Sequence, residues 1–166
     1  MAVANTKSTF ITNADATPSV LTRPSIAGGK KQCIVGTVEV AAADDDGSVF
    51  RFARVPSNAV ITSIKVFCDA ITSGTSYDCG LYRTANDGGA VVDADAFASA
   101  VSLASAITTG TEIRFEAADI NTIEKRVWEM AGATADTLYD YDICLTANTV
   151  GSAAGTISLA VEYVIA

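Results

Sequence analysis

The chain has no histidine, only three prolines, one tryptophan, and four cysteines of which no two form a CxxC pair. Each shortage excludes something. Without imidazole, neither a Ser-His-Asp nor a Cys-His nucleophile system can be assembled, and no His-ligated zinc or iron site can form. No stretch approaches the roughly 20 apolar residues of a membrane span, and the first thirty positions lack the apolar run, about 7 to 15 residues long, of a signal peptide. The expectation is a protein made and kept soluble in a cytoplasm, with no membrane partner. Cys33, Cys68, Cys79 and Cys144 fall inside apolar strand patterns, which predicts buried free thiols acting as small hydrophobes. Basic residues are scarce as well: 11 against 19 acidic ones, a formal charge of −8. That balance opposes binding to phosphate backbones, so no nucleic-acid partner is expected.

What is present is apolar material for one domain: 166 residues, 49% of them hydrophobic, enough for a core at this size. The charge is unevenly divided. Residues 1–32 carry Lys7, Arg23, Lys30 and Lys31 against Asp15 alone, a balance of +3, and the remainder carries −11. The same segment is rich in Thr, Ser, Asn and Ala, and Pro18 and Pro24 disfavour helix at themselves and at the residue before, so extended or irregular backbone is expected. Phe10, Ile11, Val20, Leu21 and Ile26 are spaced through it. Apolar anchors on an irregular strip predict an arm that orders against a partner or against its own domain; the alternative is a loose terminus whose hydrophobes have no partner.

From residue 33 the pattern has period two, that of half-buried strands. Ile34, Gly36, Val38 and Val40 alternate with Val35, Thr37 and Glu39; Phe50 and Phe52 with Arg51 and Ala53; Ile64, Val66 and Cys68 with Lys65, Phe67 and Asp69; Tyr77, Cys79 and Leu81 with Asp78, Gly80 and Tyr82. The last two runs predict a hairpin through Ser73–Thr75 that pairs Ile64 with Leu81 and Val66 with Cys79. Asp93 or Asp95 is a candidate cap for a short helix containing Phe97, and residues 111–116 read as a strand with Ile113 and Phe115 inward. Ile120, Ile123, Val127 and Met130 form one helical stripe, with Asn121 and Glu124 as a capping box, Asp119 as a rival cap, and Gly132 as the stop. Tyr139, Tyr141, Ile143 and Leu145, then Ile157, Leu159, Val161 and Tyr163, are the clearest alternations. The fold class expected is all-β: a two-sheet antiparallel, jelly-roll-like sandwich over residues 33–166, with about eight strands, one or two short helices, and residues 1–32 as an extended N-terminal arm. The C-terminal strand is expected to be a central or pairing strand.

Candidate chemistry is sparse. Asp44, Asp45, Asp46 and Gly47 resemble a calcium loop, but the twelfth position counted from Asp44 is Val55 where an EF-hand needs glutamate, so a solvated turn is the better reading. Asp140 and Asp142 stand on one face of a strand, about 7 Å apart. Two glycosidase carboxylates can have such a spacing, and so can acids placed for solvation, which is the expectation here. Trp128 and Tyr82 are candidates for a sugar platform or for packing. Gly28, Gly29, Lys30 and Lys31 lack the spacing and context of a phosphate loop. No catalytic residue, cofactor or metal ligand is assigned.

The stretches YDCGLY (Tyr77–Tyr82), GAVVDADAFASAVSL (Gly89–Leu103), RVWEMAG (Arg126–Gly132) and the ending YDICLTANTVGSAAGTISLAVEYV resemble small virion structural proteins of tailed bacteriophages, over roughly residues 33–166. The resemblance implies a jelly-roll-like sandwich without enzymatic activity that assembles with other virion proteins. Head decoration or cement proteins of this kind sit on the capsid surface, often as homotrimers, and clamp neighbouring major capsid subunits. On that reading Phe10, Ile11, Val20, Leu21, Arg23, Lys30 and Lys31 supply a partner interface on the arm, the partners are further copies of the chain and the major capsid protein, and the protein is made in the cytoplasm of a bacterial host. A tail, fibre or neck component, and a glycan-binding sandwich on the virion surface, stand as alternatives.

Overall fold

The structure is a computed structural model and describes residues 6–166; the first five positions of the arm lie outside the described residues. Eight strands follow one short helix: α1 (Thr9–Ala14), β1 (Lys31–Val40), β2 (Val49–Pro56), β3 (Ala59–Cys68), β4 (Ser76–Arg83), β5 (Val91–Val101), β6 (Ile107–Glu112), the single turn α2 (Val127–Met130), β7 (Asp140–Thr149) and β8 (Gly155–Ile165). They form two antiparallel four-stranded sheets, β1-β8-β3-β6 and β2-β7-β4-β5. Most connections cross from one sheet to the other, which is the winding of an eight-stranded jelly roll. The alternating residues decide the layers. Ile64 and Val66 of β3, Cys79 and Leu81 of β4, Ile143 and Leu145 of β7, and Ile157, Leu159 and Val161 of β8 are fully buried between the sheets. β8 lies between β1 and β3, as expected of the C-terminal strand.

The expected hairpin between β3 and β4 does not form. β3 pairs with β8 and β6, and β4 with β7 and β5, while the connection through the buried Ile71 carries the chain from one layer to the other. Ile64 and Leu81 therefore belong to one core from opposite sheets. Period two marks the buried face of a strand, and that mark is the same for a neighbour in the sheet and for a neighbour across the core.

Three further expectations are corrected. The helix around Phe97 is instead the bulged strand β5, with Phe97 and Ala98 both buried. The strand expected over 111–116 runs earlier, Ile107–Glu112; Ile113 is buried, but Arg114 is fully buried and Phe115 is 44% exposed. The long helix shortens to Val127–Met130 because Asp119 captures the chain before it. Its carboxylate accepts from the backbone and side-chain nitrogens of Asn121, and its own N–H donates to Thr122, a local turn that competes with helix. Ile120 and Ile123 are left 84% and 51% exposed. The cap that forms is at Arg126, whose N–H donates to Glu129 Oε2 at 2.8 Å, and Gly132 stops the helix at a φ of 73° as expected.

Candidate interaction surface

The segment expected to form an arm is exposed or half-buried at every described residue, from 6 to 32, the last two of which already belong to β1. Irregular backbone gives way to helix over Thr9–Ala14, where the Ser8 hydroxyl accepts from the Ile11 N–H, the bonding of an N-cap. The chain then folds back, with the Val20 N–H on the Asn13 carbonyl at 3.0 Å and Lys7 paired with Asp15 at 2.7 Å. A turn closes at Arg23, whose carbonyl accepts from Ile26 and Ala27.

The predicted contact residues separate into two groups. Phe10 and Ile11 are 42% exposed, Val20 55% and Leu21 97%; Phe10, Val20 and Leu21 line a shallow groove of 460 Å³ together with Ala14 and Thr22. Two of the three basic residues instead bond the body of the same chain. Arg23 Nη2 donates to the Glu124 carbonyl at 2.8 Å and lies 3.6 Å from its carboxylate. Lys31 Nζ reaches Glu162 Oε2 at 2.6 Å, and this bond holds the Glu162 carboxyl below its ordinary value. Lys30 makes no hydrogen bond or ion pair among the described residues.

Next to the arm's attachment lies an apolar surface that the sequence had turned inward. Ile26, Ile61, Phe115 and Ile123 line a groove of 310 Å³ rimmed by Ser25 and Glu124. Beneath it, Arg114 donates to the carbonyls of Ile61 and Thr122 and lies over the rings of Phe97 and Phe115 at 5.2 and 4.9 Å. Burial lowers its pKa from the ordinary arginine value.

The acidic candidates have structural work. Asp44 accepts from the Ala41 N–H and Asp46 from the Val150 N–H, both at 2.8 Å, which closes the turn before β2. Asp142 shares the outer face of β7 with the exposed Asp140, but only 4% of it is accessible. Arg54 binds both of its oxygens, at 2.7 and 3.1 Å, and Arg51 binds one at 2.9 Å. Burial by itself would raise this carboxyl; the two guanidinium groups outweigh it and hold it below the ordinary carboxylate value. A carboxylate so enclosed is a fastener for β2 and β7, a poor acid or nucleophile.

Tyr82 is 5% exposed, with its hydroxyl on Thr146, so it offers no open sugar platform beside Trp128. Cys68, Cys79 and Cys144 are buried as expected, with burial pushing the Cys144 thiol up to about 12. Cys33 is exposed on β1, against expectation, because β1 is an edge strand with an uncovered outer face. Among the described residues no three His, Cys, Asp or Glu side chains group to hold a metal ion, and no helix is long and apolar enough to cross a membrane.

The chain matches no family model and no curated protein. Its fold is similar to that of a chain in the structure described as the capsid of Ralstonia phage GP4, at 14% identity and a TM-score of 0.59, over 83% of this chain and 86% of that one. It is also similar to a chain of the cyanophage Pam1 capsid asymmetric unit, at 16% identity and a TM-score of 0.52, over 92% of this chain and 97% of that one. At such identities the likeness establishes a shared fold.

Proposed function

We propose that the protein is a non-enzymatic virion structural protein of a tailed bacteriophage, and specifically a capsid decoration or cement protein. The observation that carries this reading is likeness over nearly the whole length of two chains from phage capsid structures, which makes those chains small proteins of about this size. The arm supports it. A six-residue helix without a buried residue is far below the length at which a helix is stable alone, and its exposed Phe10, Ile11, Val20 and Leu21 are suited to burial against another subunit.

On this reading copies associate on the outside of the head, as trimers, and clamp neighbouring major capsid subunits. Arg23 and Lys31 fix the base of the arm to its own body, and the apolar residues before them form the inter-subunit contact. The groove of Ile26, Phe115 and Ile123 extends that contact on the body. The acidic body, which carries −11 outside residues 1–32, repels phosphate backbones and so favours protein partners.

Two measurements test the proposal. Immunogold labelling of intact particles is expected to decorate heads; label confined to tails overturns the assignment. A variant lacking residues 1–22 keeps the Arg23–Glu124 attachment and is expected to bind capsids stripped of this protein at least about tenfold more weakly, since an arm of this size contributes more than about 1.4 kcal/mol of apolar contact. Unchanged affinity removes the arm from the interface.

A further inference from the structure

Each sheet of the jelly roll has two edges, and three of the four carry features that prevent pairing with another chain. β2 has a bulge between Arg51 and Ala53, two arginines, and Pro56 at its end. β5 has three register shifts against β4 and carries Asp93 and Asp95. β6 is six residues long and contains Gly110. Short, bulged, charged or proline-bearing edges are how sandwiches avoid joining edge to edge.

β1 has none of these features along its middle. It pairs with β8 through ten consecutive residues, Lys31↔Val164 to Val40↔Gly155, without a shift. It has no proline, and Gln32–Val38 is uncharged. Among the described residues no strand pairs with its other edge, and Val35 on its outer face is 68% exposed. Its only charges are Lys31 at one end and Glu39 at the other, both on the outer face.

We infer that the free edge of β1 is an interface with β1 of a second copy, antiparallel and centred on Val35. The charges select this arrangement. An antiparallel partner centred at residue 35 places Lys31 opposite Glu39 of the second copy and Glu39 opposite its Lys31, Cys33 opposite Thr37, and Val35 opposite Val35, with every outer-face side chain meeting an outer-face side chain. A parallel, in-register partner would set Lys31 against Lys31 and Glu39 against Glu39, and it would turn the outer face of one copy to the same side as the inner face of the other. Lys31 bonds Glu162 but remains 57% exposed, and Glu39 accepts from Thr156; both partners are on β8, so the cross-axis pairing requires each side chain to turn from β8 toward the free edge or to share its charge across it. The product is a continuous sheet of eight strands across a two-fold axis. This contact does not depend on the capsid assignment: it joins two monomers, or two trimers where a three-fold association also exists.

The test uses the purified full-length protein without capsids. Opposed residues in an antiparallel pair have Cα atoms about 4.5 to 5.5 Å apart, within disulfide range. Val35→Cys in a Cys33→Ser background is therefore expected to form a covalent dimer under mild oxidation. Thr37→Cys in the same background, whose partner is position 33, is expected not to, and Thr37→Cys with Cys33 retained is expected to crosslink. Lys31→Glu should weaken the dimer by about tenfold, since two exposed pairs turn from attraction to repulsion; adding Glu39→Lys should restore it, although Glu162 is unchanged. The inference is overturned if Val35→Cys crosslinks no faster than the Thr37→Cys, Cys33→Ser control, or if the double charge swap fails to recover association. It is also overturned if removal of residues 1–22 abolishes the dimer, which would assign the contact to the arm. Failure here leaves the head-labelling result standing, and the reverse.

Discussion

Asp142 occupies an outward position on β7, yet it is buried because Arg51 and Arg54 of the neighbouring β2 close over it. Its carboxyl pKa is depressed in the folded state, so its contribution to stability is fully present above the unfolded value, about 3.9, and is lost as pH falls through the lower folded value. Asp142→Asn is expected to cost about 1.5–3 kcal/mol at pH 7, the range for hydrogen bonds to a charged group. Urea unfolding checks this, and the difference from the wild type should shrink at pH 3. Alternation showed which face Asp142 takes. It could not show that two arginines from another strand would cover that face, and Arg114 is the same case in reverse. A charged residue between Ile113 and Phe115 reads as outward by default, and only the carbonyls of Ile61 and Thr122 and the two aromatic rings make its burial tolerable.

Among the elements, β1 depends on a close approach that its sequence marks only by a glycine. A Cβ on Gly36 would collide with the Phe52 carbonyl oxygen, so β1 and β2 touch backbone to backbone. Phe52 is the residue at which β2 shifts register against β7. Gly36→Ala is expected to destabilise the protein by about 1–3 kcal/mol through overpacking, measured by chemical denaturation, because a backbone atom cannot rotate away as a side chain can. The helix expected over residues 120–130 fails for a complementary reason. Its apolar spacing was real, but the bonds of Asp119 with Asn121 and Thr122 are made locally, and no element among the described residues covers Ile120 or closes over Ile123.

For the molecule as a whole, residues 6–22 and the sandwich are energetically separate, since the attachments to the body begin at Arg23. Since no residue from 6 to 32 is buried, deleting residues 1–22 is expected to shift the melting temperature by less than about 2 °C, as expected for less than about 1 kcal/mol in a domain of this size. Differential scanning calorimetry checks this, and the loss should appear only in assembly. By itself the sequence determined the all-β class, the inward faces of β1–β4, β7 and β8, the central place of the last strand and the basic character of the first thirty residues. These follow from periodicity and composition, which are local. The tertiary structure decided which strands are neighbours, that β3 and β4 face each other across the core, that Arg114 and Asp142 are enclosed, and that β1 is left with an open edge. Each of these depends on how the chain crosses between two layers, and a period-two pattern is the same whichever layer supplies the partner.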